Sequence, residues 1–346
     1  MLIPVQEINK FLYINIAHIG DIVLSLPVAR ALKAAYPAAQ LDMLVSFPQG
    51  EAAYYNPYVD NVLFYNIRSW QQDKSRLLGI ITMLQQENYD LAIASCYGTV
   101  DPMMAFLSRA RYRAGFAVNG GEKYLNYVVP NNPVYVHEVE RQLQVIDMLG
   151  IKADNTAIEF AIRPDDIADL SDKVPSAMHS KRLKVIICPI SDRPQKMWPL
   201  ANHIHVLKAM AQQAQCYLIG SNRQAAFLNE INEGAGSVAE VLAGSLTLGE
   251  LGALIQAADL LITVDTGPMH IAQAFDTPVI CLFGPTDPKR WGPRRPQDII
   301  IRASVPCSPC WDIDDERHKR CRENRCMTEI RPETVIAAAA NLLKNK

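Results

Sequence analysis

Short apolar runs alternate with amphipathic stretches along the chain. In the first half, apolar runs that predict buried strands occupy residues 11–16, 41–46, 62–65 and 91–94. Helical spacing of apolar residues predicts helices between and after these runs, at residues 21–36, 73–86 and 138–149. Strands that alternate with helices predict a parallel sheet covered by helices.

The second half repeats this rhythm after a change of composition. Residues 163–184 are rich in Pro, Asp, Ser and Lys, and we interpret them as a linker into a second domain. The runs that follow predict strands at residues 185–188, 216–219, 260–264 and 278–283, with helices from Leu200 and from Pro332 to Leu343. A chain of 346 residues exceeds one hydrophobic core. We therefore expect two α/β domains, at residues 1–165 and 180–330, and a C-terminal helix at 331–346.

Composition excludes several classes of function. Apolar residues make up 49% of the chain and charged residues 20%, which is typical of a soluble globular protein. A formal net charge of −2 gives no overall attraction to nucleic acid, so no nucleic-acid partner is expected. No run reaches the roughly 18 apolar residues of a membrane-spanning helix, and the N-terminus does not resemble a signal peptide. We expect a cytoplasmic protein, with contact at a membrane surface left open.

The sharpest chemical signal is the segment Asp265-Thr266-Gly267-Pro268-Met269-His270, which lies between an apolar run and a helical pattern. A second loop, Gly284-Pro285-Thr286-Asp287, follows the next apolar run. Parallel strands that end in such loops direct backbone N–H groups at bound phosphates. Thr266 and Gly267 would approach a phosphate, and His270 would donate to a pyrophosphate or a sugar hydroxyl. A capped helix with a packed histidine is the alternative to this nucleotide or nucleotide-sugar site.

Two further loops of the second half carry candidates for the same site. Residues 191–199 follow its first strand. There Lys196 could neutralise a diphosphate leaving group, and Ser191 could bond one of its oxygens. The alternative is a solvated loop anchored by Trp198. Ser221, after the next strand, is a weaker candidate because loops of this composition are common.

The first half offers a carboxylate and a basic cluster. Asp21 lies where the first strand meets the first helix. It either accepts backbone hydrogen bonds at or near a helix N-cap, or it is a base that takes a proton from a sugar hydroxyl. The clearest basic residues of this half are Arg109, Arg111, Arg113 and Lys123. They form either a solvated face or a docking site for a phosphorylated acceptor.

The eight cysteines fall into two groups. Four are scattered, and four cluster near the C-terminus as Cys307-x2-Cys310-x10-Cys321-x4-Cys326. In a cytoplasmic chain such a cluster indicates a metal or local structure rather than stable disulfides. The spacing is compatible with a closed, structural zinc or iron site that takes no part in catalysis. The alternative is a set of reduced cysteines that pack the loop.

Several of these motifs resemble those of glycosyltransferase family 9, the bacterial heptosyltransferases. In the first half the resemblance rests on Ile19-Gly20-Asp21, Leu26-Pro27-x-x-Arg30-Ala31-Leu32, Tyr36-Pro37 and Tyr112-Arg113-x-Gly115-Phe116. In the second half it rests on residues 265–270, on Phe283-Gly284-Pro285-Thr286-Asp287, and on Cys307-x-x-Cys310 with Cys326-Met327. The match spans nearly the whole chain.

The resemblance implies a GT-B fold, in which two Rossmann-like parallel-sheet domains face each other across a cleft. It implies an inverting transfer of heptose from ADP-L-glycero-β-D-manno-heptose, with Asp21 as the general base and Lys196 at the leaving group. With the loop residues Ser221 and Asp265 added, the expected donor-binding set is Ser191, Lys196, Ser221, Asp265, Thr266, Gly267 and His270. No catalytic metal is expected, because lysine, hydroxyls and a helix N-terminus can stabilise the departing diphosphate.

The acceptor implied by the resemblance is the lipopolysaccharide inner core of the Kdo-lipid A type. Arg109, Arg111, Arg113 and Lys123 would bind it in the first domain. A surface adhesin is an alternative acceptor, since related enzymes with a C-terminal cysteine cluster glycosylate bacterial surface proteins. Two alternatives involve no transfer: a nucleotide-sugar epimerase or hydrolase, and a catalytically silent nucleotide-sugar-binding subunit.

Overall fold

The computed structural model of the chain describes residues 8–66, 74–95, 97–130, 136–311 and 321–344. The chain separates into two units, Met1–Ala161 and Ile162–Lys346. Each unit contains a six-stranded sheet. The pairings between neighbouring strands are parallel in both sheets. The alternating pattern therefore correctly predicted a parallel sheet in each half of the chain.

The first unit has the strand order β3-β2-β1-β4-β5-β6. Its strands are β1 Lys10–Asn15, β2 Gln40–Ser46, β3 Asn61–Tyr65, β4 Leu91–Ala94, β5 Tyr112–Phe116 and β6 Tyr127–Val129. Its α-helices are α1 Ile19–Ala35, α2 Lys74–Gln86, α3 Val100–Leu107 and α4 Glu138–Asp147. Two short 3₁₀ helices, Gln49–Tyr55 and Gly121–Tyr124, lie in its connections.

The second unit repeats this order as β12-β11-β10-β7-β8-β9. Its strands are β7 Leu183–Cys188, β8 Ala214–Gly220, β9 Ala239–Ala243, β10 Leu260–Val264, β11 Val279–Leu282 and β12 Ile299–Ile301. Its longer helices are α5 Pro164–Lys173, α7 Leu200–Ala211, α8 Ala225–Ala235, α9 Leu248–Ala257 and α13 Pro332–Leu343. Its shorter ones are α6 Pro175–His179, α10 Gly267–Ala272, α11 Pro288–Trp291, α12 Arg325–Thr328 and the 3₁₀ helices Pro194–Lys196 and Asn222–Gln224.

The central strands are buried on both faces. Every residue of β4 and of β10 is buried. Such continuous apolar runs are typical of parallel strands covered by helices on both sides. The outer strands β3, β6, β9 and β12 contain partly exposed residues, because each has a neighbour on one side only. The burial of a strand thus follows its place in the sheet.

A buried arginine holds α1 in place within the first unit. Arg30 is 7% exposed, and its guanidinium bonds to groups of residues 154–159. Among them are the carboxylates of Asp154 at 3.2 Å and Glu159 at 3.1 Å. A buried charge needs such partners, since an unpaired one is costly. Because Asp21 lies in the first turn of the same helix, this anchor also helps to fix the Asp21 backbone.

The segment that we interpreted as a linker, residues 163–184, is instead largely helical, and the linker prediction is wrong. It forms α5 and α6, each of which begins with a proline, as helix N-termini often do. Lys173 at the end of α5 bonds to the buried carboxylate of Glu250 in α9 at 2.6 Å. Its polar composition therefore reflects the exposed surface of a packed helix of the second unit.

The longest helix among the described residues, α1, has 17 residues and contains Asp21, Arg30 and Lys33. Among the residues that the structure describes, no helix combines the length and the hydropathy needed to cross a membrane.

Candidate active site

Both sheets reverse their strand order at a central pair. The reversal falls between β1 and β4 in the first unit and between β7 and β10 in the second. Parallel α/β sheets bind ligands at the carboxyl ends of the strands at this switch point. Asp21 follows β1, Lys196 follows β7, and Asp265 follows β10. The main sequence candidates therefore lie at the two switch points.

A buried ion pair occupies the switch point of the second sheet. Lys196 Nζ donates to Asp265 Oδ2 at 2.7 Å, and Thr286 Oγ1 donates to the same oxygen at 2.6 Å. Lys196 ends the 3₁₀ helix that follows β7, Asp265 follows β10, and Thr286 follows β11. The ends of three adjacent strands thus converge on one carboxylate oxygen.

Asp265 is ionised and His270 is neutral near neutral pH. Burial by itself raises the pKa of Asp265, but Lys196, His270 and the hydrogen bond from Thr286 hold that pKa below its ordinary value. Burial lowers the pKa of His270 to about 4, an effect that Asp265 opposes and Lys196 reinforces. The site therefore presents a paired lysine cation beside a neutral imidazole.

Thr266 and Gly267 form the start of α10, next to Asp265. Thr266 is the N-cap residue, but its hydroxyl makes no capping hydrogen bond to the helix. Both residues are half-buried, whereas His270 in the same helix is 5% exposed. Capping therefore does not account for the Thr266 hydroxyl, and a ligand role for it stays a prediction.

Ser191 and Ser221 lie at the same edge of the sheet, after β7 and β8. The Ser191 hydroxyl accepts the backbone N–H of Arg193 at 3.3 Å. The Ser221 hydroxyl donates to Gln224 Oε1 at 2.9 Å, within a capping box of the 3₁₀ helix Asn222–Gln224. Both hydroxyls thus serve local turns in this structure, and their donor-binding role remains a prediction.

Asp21 lies in the first turn of α1, at the carboxyl end of β1. Asn15, the buried last residue of β1, donates from its side-chain amide to the Asp21 carbonyl at 3.3 Å. The N-cap position itself belongs to His18, and Asp21 lies three residues later, near the N-cap, so the alternative of a capping role in the first turn stays open. The half-buried Asp21 side chain therefore stands at the switch point of the first sheet.

The basic residues predicted to bind the acceptor do not gather at this edge. Arg109 and Arg111 precede β5 and lie near its amino end, at the opposite edge of the sheet. Arg113 lies within β5, and its guanidinium donates to two backbone carbonyls at 2.9 and 2.8 Å. Lys123 is exposed on the 3₁₀ helix Gly121–Tyr124, in the connection from β5 to β6.

The sequence did not reveal a buried polar cluster at the carboxyl ends of β4 and β5. Glu138 is fully buried and accepts hydrogen bonds from Tyr97, Arg141 and Gln142. The Arg141 guanidinium lies 3.8 Å from the ring centroid of Tyr97 and 3.7 Å from that of Phe116. Because Tyr97 follows β4 and Phe116 ends β5, the cluster lies at the carboxyl edge of the first sheet, where such sheets bind ligands.

Charged residues of a helix are normally exposed. The sequence pattern of α4 therefore gave no reason to expect that Glu138 and Arg141 are buried. The available signal was that Glu138, Arg141 and Gln142 share one helix face with the buried Val145. Arg141 Nη2 and Gln142 Oε1 are buried without a hydrogen-bond partner among the described residues. Such unsatisfied groups cost free energy and are concentrated at functional sites.

The four C-terminal cysteines are free thiols. Cys307 and Cys321 are exposed, Cys310 is half-buried and Cys326 is buried. Burial, together with a smaller electrostatic effect of the other three cysteines, raises the pKa of Cys326 to about 11. Within the described ranges, however, no group of three or more His, Cys, Asp or Glu residues is arranged to hold a metal ion. Residues 312–320, which connect Cys310 to Cys321, lie outside those ranges.

The chain matches a family model described as glycosyltransferase family 9 (heptosyltransferase) over residues 78–344. This match covers most of the chain, and the protein therefore belongs to glycosyltransferase family 9. It is a glycosyltransferase with the GT-B fold that the sequence resemblance predicted.

Known proteins resemble it along nearly their whole length. Lipopolysaccharide heptosyltransferase 3 of Escherichia coli K12 is 32% identical over 339 residues, which are 94% of this chain and 95% of that protein. A glycosyltransferase of family 9 from Veillonella parvula has a TM-score of 0.87 at 20% identity and covers 100% of this chain and 99% of its own. The ADP-heptose heptosyltransferase II of E. coli has a TM-score of 0.79 at 20% identity and covers 97% and 99%.

A more distant structure is of interest for the cysteines. TibC of enterotoxigenic E. coli, described as an iron-containing dodecameric glycosyltransferase, has a TM-score of 0.59 at 17% identity. The alignment covers 98% of this chain and 77% of TibC. At this identity the likeness concerns the fold alone.

Proposed function

We propose that this glycosyltransferase transfers a heptose from ADP-L-glycero-β-D-manno-heptose to the lipopolysaccharide inner core. The observation that carries the proposal is the Lys196–Asp265 pair at the switch point of the second sheet. A cation held there by a buried carboxylate is suited to the pyrophosphate of a nucleotide sugar. The heptose and the acceptor are proposed from the relatives, which are named as lipopolysaccharide heptosyltransferases.

In the proposed reaction, Asp21 takes the proton of an acceptor hydroxyl while that oxygen attacks C1 of the heptose. The bond from C1 to the diphosphate oxygen breaks, its electron pair leaves with ADP, and the configuration at C1 inverts. Lys196 neutralises the negative charge that develops on the leaving diphosphate. A lysine in this role makes the step independent of a metal ion.

The other donor ligands are proposed from their places around this pair. The Thr266 hydroxyl and the Gly267 N–H lie beside Asp265 and would donate to the pyrophosphate. His270, neutral because burial lowers its pKa to about 4, would donate one ring N–H to a sugar hydroxyl. Ser191 and Ser221 would complete the set from the neighbouring loops.

The proposed acceptor is anchored in lipid, which would place the reaction at the cytoplasmic face of the inner membrane. Of the four basic residues predicted to bind it, Lys123 is exposed beyond the carboxyl end of β5, and we retain it as an acceptor contact. Arg109 and Arg111 would reach only acceptor groups that extend to the other edge of the sheet. The guanidinium of Arg113 is bonded to two backbone carbonyls, so Arg113 would take part in acceptor binding only through its backbone.

A donor and acceptor screen followed by mass spectrometry tests the proposed activity. We expect ADP-heptose to be consumed only when a Kdo-lipid A type core acceptor is present, with one heptose added to that acceptor. UDP-glucose in place of ADP-heptose is the matched donor control and should give no product. Transfer to a surface adhesin instead would identify a protein heptosyltransferase. Conversion of ADP-heptose without any acceptor would identify an epimerase or hydrolase, and ADP binding without consumption a silent subunit.

We further propose that Cys307, Cys310, Cys321 and Cys326 bind one structural zinc or iron ion. Four thiolates are a donor set that both metals accept, and the electrostatic effect of three of the cysteines on Cys326 supports their proximity. The iron content of TibC supports the same proposal by analogy of fold. Metal binding would have to displace the proton of Cys326, whose raised pKa opposes this.

Elemental analysis of protein purified without a metal-affinity tag tests this site. We expect about one zinc or iron per chain, and loss of the metal in Cys310→Ser. The scattered, buried Cys216 provides the control, since Cys216→Ser should keep the metal. The proposal would be contradicted if the wild-type protein is purified without metal and its thermal melting curve is the same with and without added zinc or iron.

A further inference from the structure

The cysteine-rich segment is attached to the loop that supports the ion pair. Ser308 Oγ donates to the Gly284 carbonyl at 2.6 Å. The backbone N–H groups of Cys310 and Trp311 both donate to the Pro285 carbonyl, at 2.8 and 3.0 Å. These contacts fix residues 308–311 along the loop 284–286.

The other part of the segment closes on the same loop from a second direction. A Cβ atom added to Gly284 would lie 2.5 Å from Met327 Sδ and 3.2 Å from Cys326 Sγ. Glycine at this position therefore allows a close approach, since a Cβ atom there would require Met327 to shift. The loop 284–286 is thus enclosed between residues 308–311 and residues 326–327.

Thr286 connects the enclosed loop 284–286 to the candidate active site. Thr286 forms a β-bridge with Trp311, and its hydroxyl donates to Asp265 Oδ2. Lys196 donates to that same oxygen. A displacement of residues 308–311 would therefore be transmitted to the Thr286 hydroxyl and from there to the ion pair.

Trp311 also contacts the site directly through its ring. Lys196 Nζ lies 5.4 Å from the ring centroid, and Arg193 Cζ lies 5.5 Å from it. Cations within about 6 Å of an indole centroid are attracted by the negative face of the ring. The half-buried indole thus holds two cations of the loop after β7 at the place where the proposed diphosphate would bind.

We propose that Trp311 is a positioning residue of the donor site, which holds Lys196 and Arg193 for the donor diphosphate and is itself held by the cysteine-rich segment. This inference rests on the proposed function. It gives the cysteine-rich segment a part in donor binding, in contrast to the sequence-based expectation of a site remote from catalysis. The chemical group recognised is the diphosphate of a nucleotide sugar.

ADP binding and donor kinetics of Trp311→Ala test the proposal. We expect the Kd for ADP and the KM for the donor to rise about tenfold, the size expected for the loss of two cation–π contacts. The acceptor KM should not change, because the proposed acceptor contacts belong to the first unit. Trp311→Phe, which keeps an aromatic face, should restore at least half of the lost affinity.

Trp291 offers a matched control in the same unit. Its ring has Arg290 Cζ at 5.1 Å, so Trp291→Ala removes a similar contact at a tryptophan outside the described site. We expect its ADP affinity and donor KM to equal those of the wild type. Thermal melting of both variants shows whether they are equally folded.

A double-variant cycle with Lys196→Ala separates a positioning role from general loosening of the loop. If Trp311 acts through Lys196, the effect of Trp311→Ala on ADP affinity should be at least halved in the Lys196→Ala background. Unchanged ADP affinity in Trp311→Ala, or full additivity in the cycle, overturns the proposal. ADP binding needs no turnover, so a wild type that binds ADP without transferring heptose would refute the proposed function and leave this test intact.

Discussion

Asp21→Asn is expected to lower the transfer rate by about 10³-fold while ADP affinity stays at the wild-type value. The amide has the size of the carboxylate but cannot accept the proton of the acceptor hydroxyl. Asp21 lies in the first turn of α1 in the first unit, whereas the proposed ADP ligands belong to the second. The measurement combines initial transfer rates at saturating donor with ADP titration calorimetry.

The control for this variant must reproduce the loss of an acidic group at a helix N-terminus. Asp165 lies exposed in the first turn of α5, and Asp165→Asn removes the same favourable interaction with the helix dipole, worth about 0.3–1 kcal/mol. We expect it to keep full transfer activity. An Asp21→Asn enzyme that retains more than about a tenth of the wild-type rate would refute the general-base assignment.

The sequence predicted most accurately the elements whose residues are buried, because burial restricts those positions to apolar residues. The strand predicted at residues 260–264 and the helix predicted from Pro332 to Leu343 coincide with β10 and α13. The pattern did not identify the outer strands β9, whose apolar run is interrupted by a glutamate, and β12, which has only three residues. Polar composition at residues 163–184 was mistaken for a linker because α5 has only one buried residue, Leu170.

For the candidate site, the sequence predicted the individual residues better than their relations. Lys196 and Asp265 were both singled out, yet their mutual bond joins positions 69 residues apart, and no local pattern reports it. Thr286 was recognised only as part of a loop, although its hydroxyl completes the hydrogen bonding of Asp265. The contact of Trp311 with Lys196 goes with the hydrogen bond of the Trp311 N–H to Pro285 and the bridge to Thr286, contacts that only the folded chain reveals.

Asp265→Asn and Lys196→Met are each expected to lower kcat/KM for the donor by about 10²- to 10³-fold. In Asp265→Asn the lysine loses the carboxylate that positions it, and in Lys196→Met the leaving diphosphate loses its cation. Each single change also leaves one charge of a largely buried pair alone, since the two side chains are 18% and 6% exposed. We therefore expect each variant to lose about 3 kcal/mol of folding stability, as measured by denaturant unfolding.

The pH dependence of stability distinguishes the two single variants. In the wild type the pKa of Asp265 is held below its ordinary value, so the pair contributes stability above the pKa of the unfolded state and loses it as the pH falls through the folded pKa. Lys196→Met removes the main attraction and leaves burial, which raises the pKa. The pH dependence of folding stability then has the opposite sign, and this variant should lose stability as the pH rises. Asp265→Asn lacks the carboxyl group, so neither of these two contributions from the titration of Asp265 should be present in it.

The double variant Lys196→Met/Asp265→Asn separates the structural role of the pair from its catalytic role. It contains no unpaired buried charge, so its stability should return to within about 1 kcal/mol of the wild type, because a buried ion pair is often no more stable than neutral replacements. Transfer should stay as low as in Lys196→Met, since the diphosphate still lacks its cation. Recovery of activity together with stability would mean that the pair only maintains the fold, and the role of Lys196 at the leaving group would have to be abandoned.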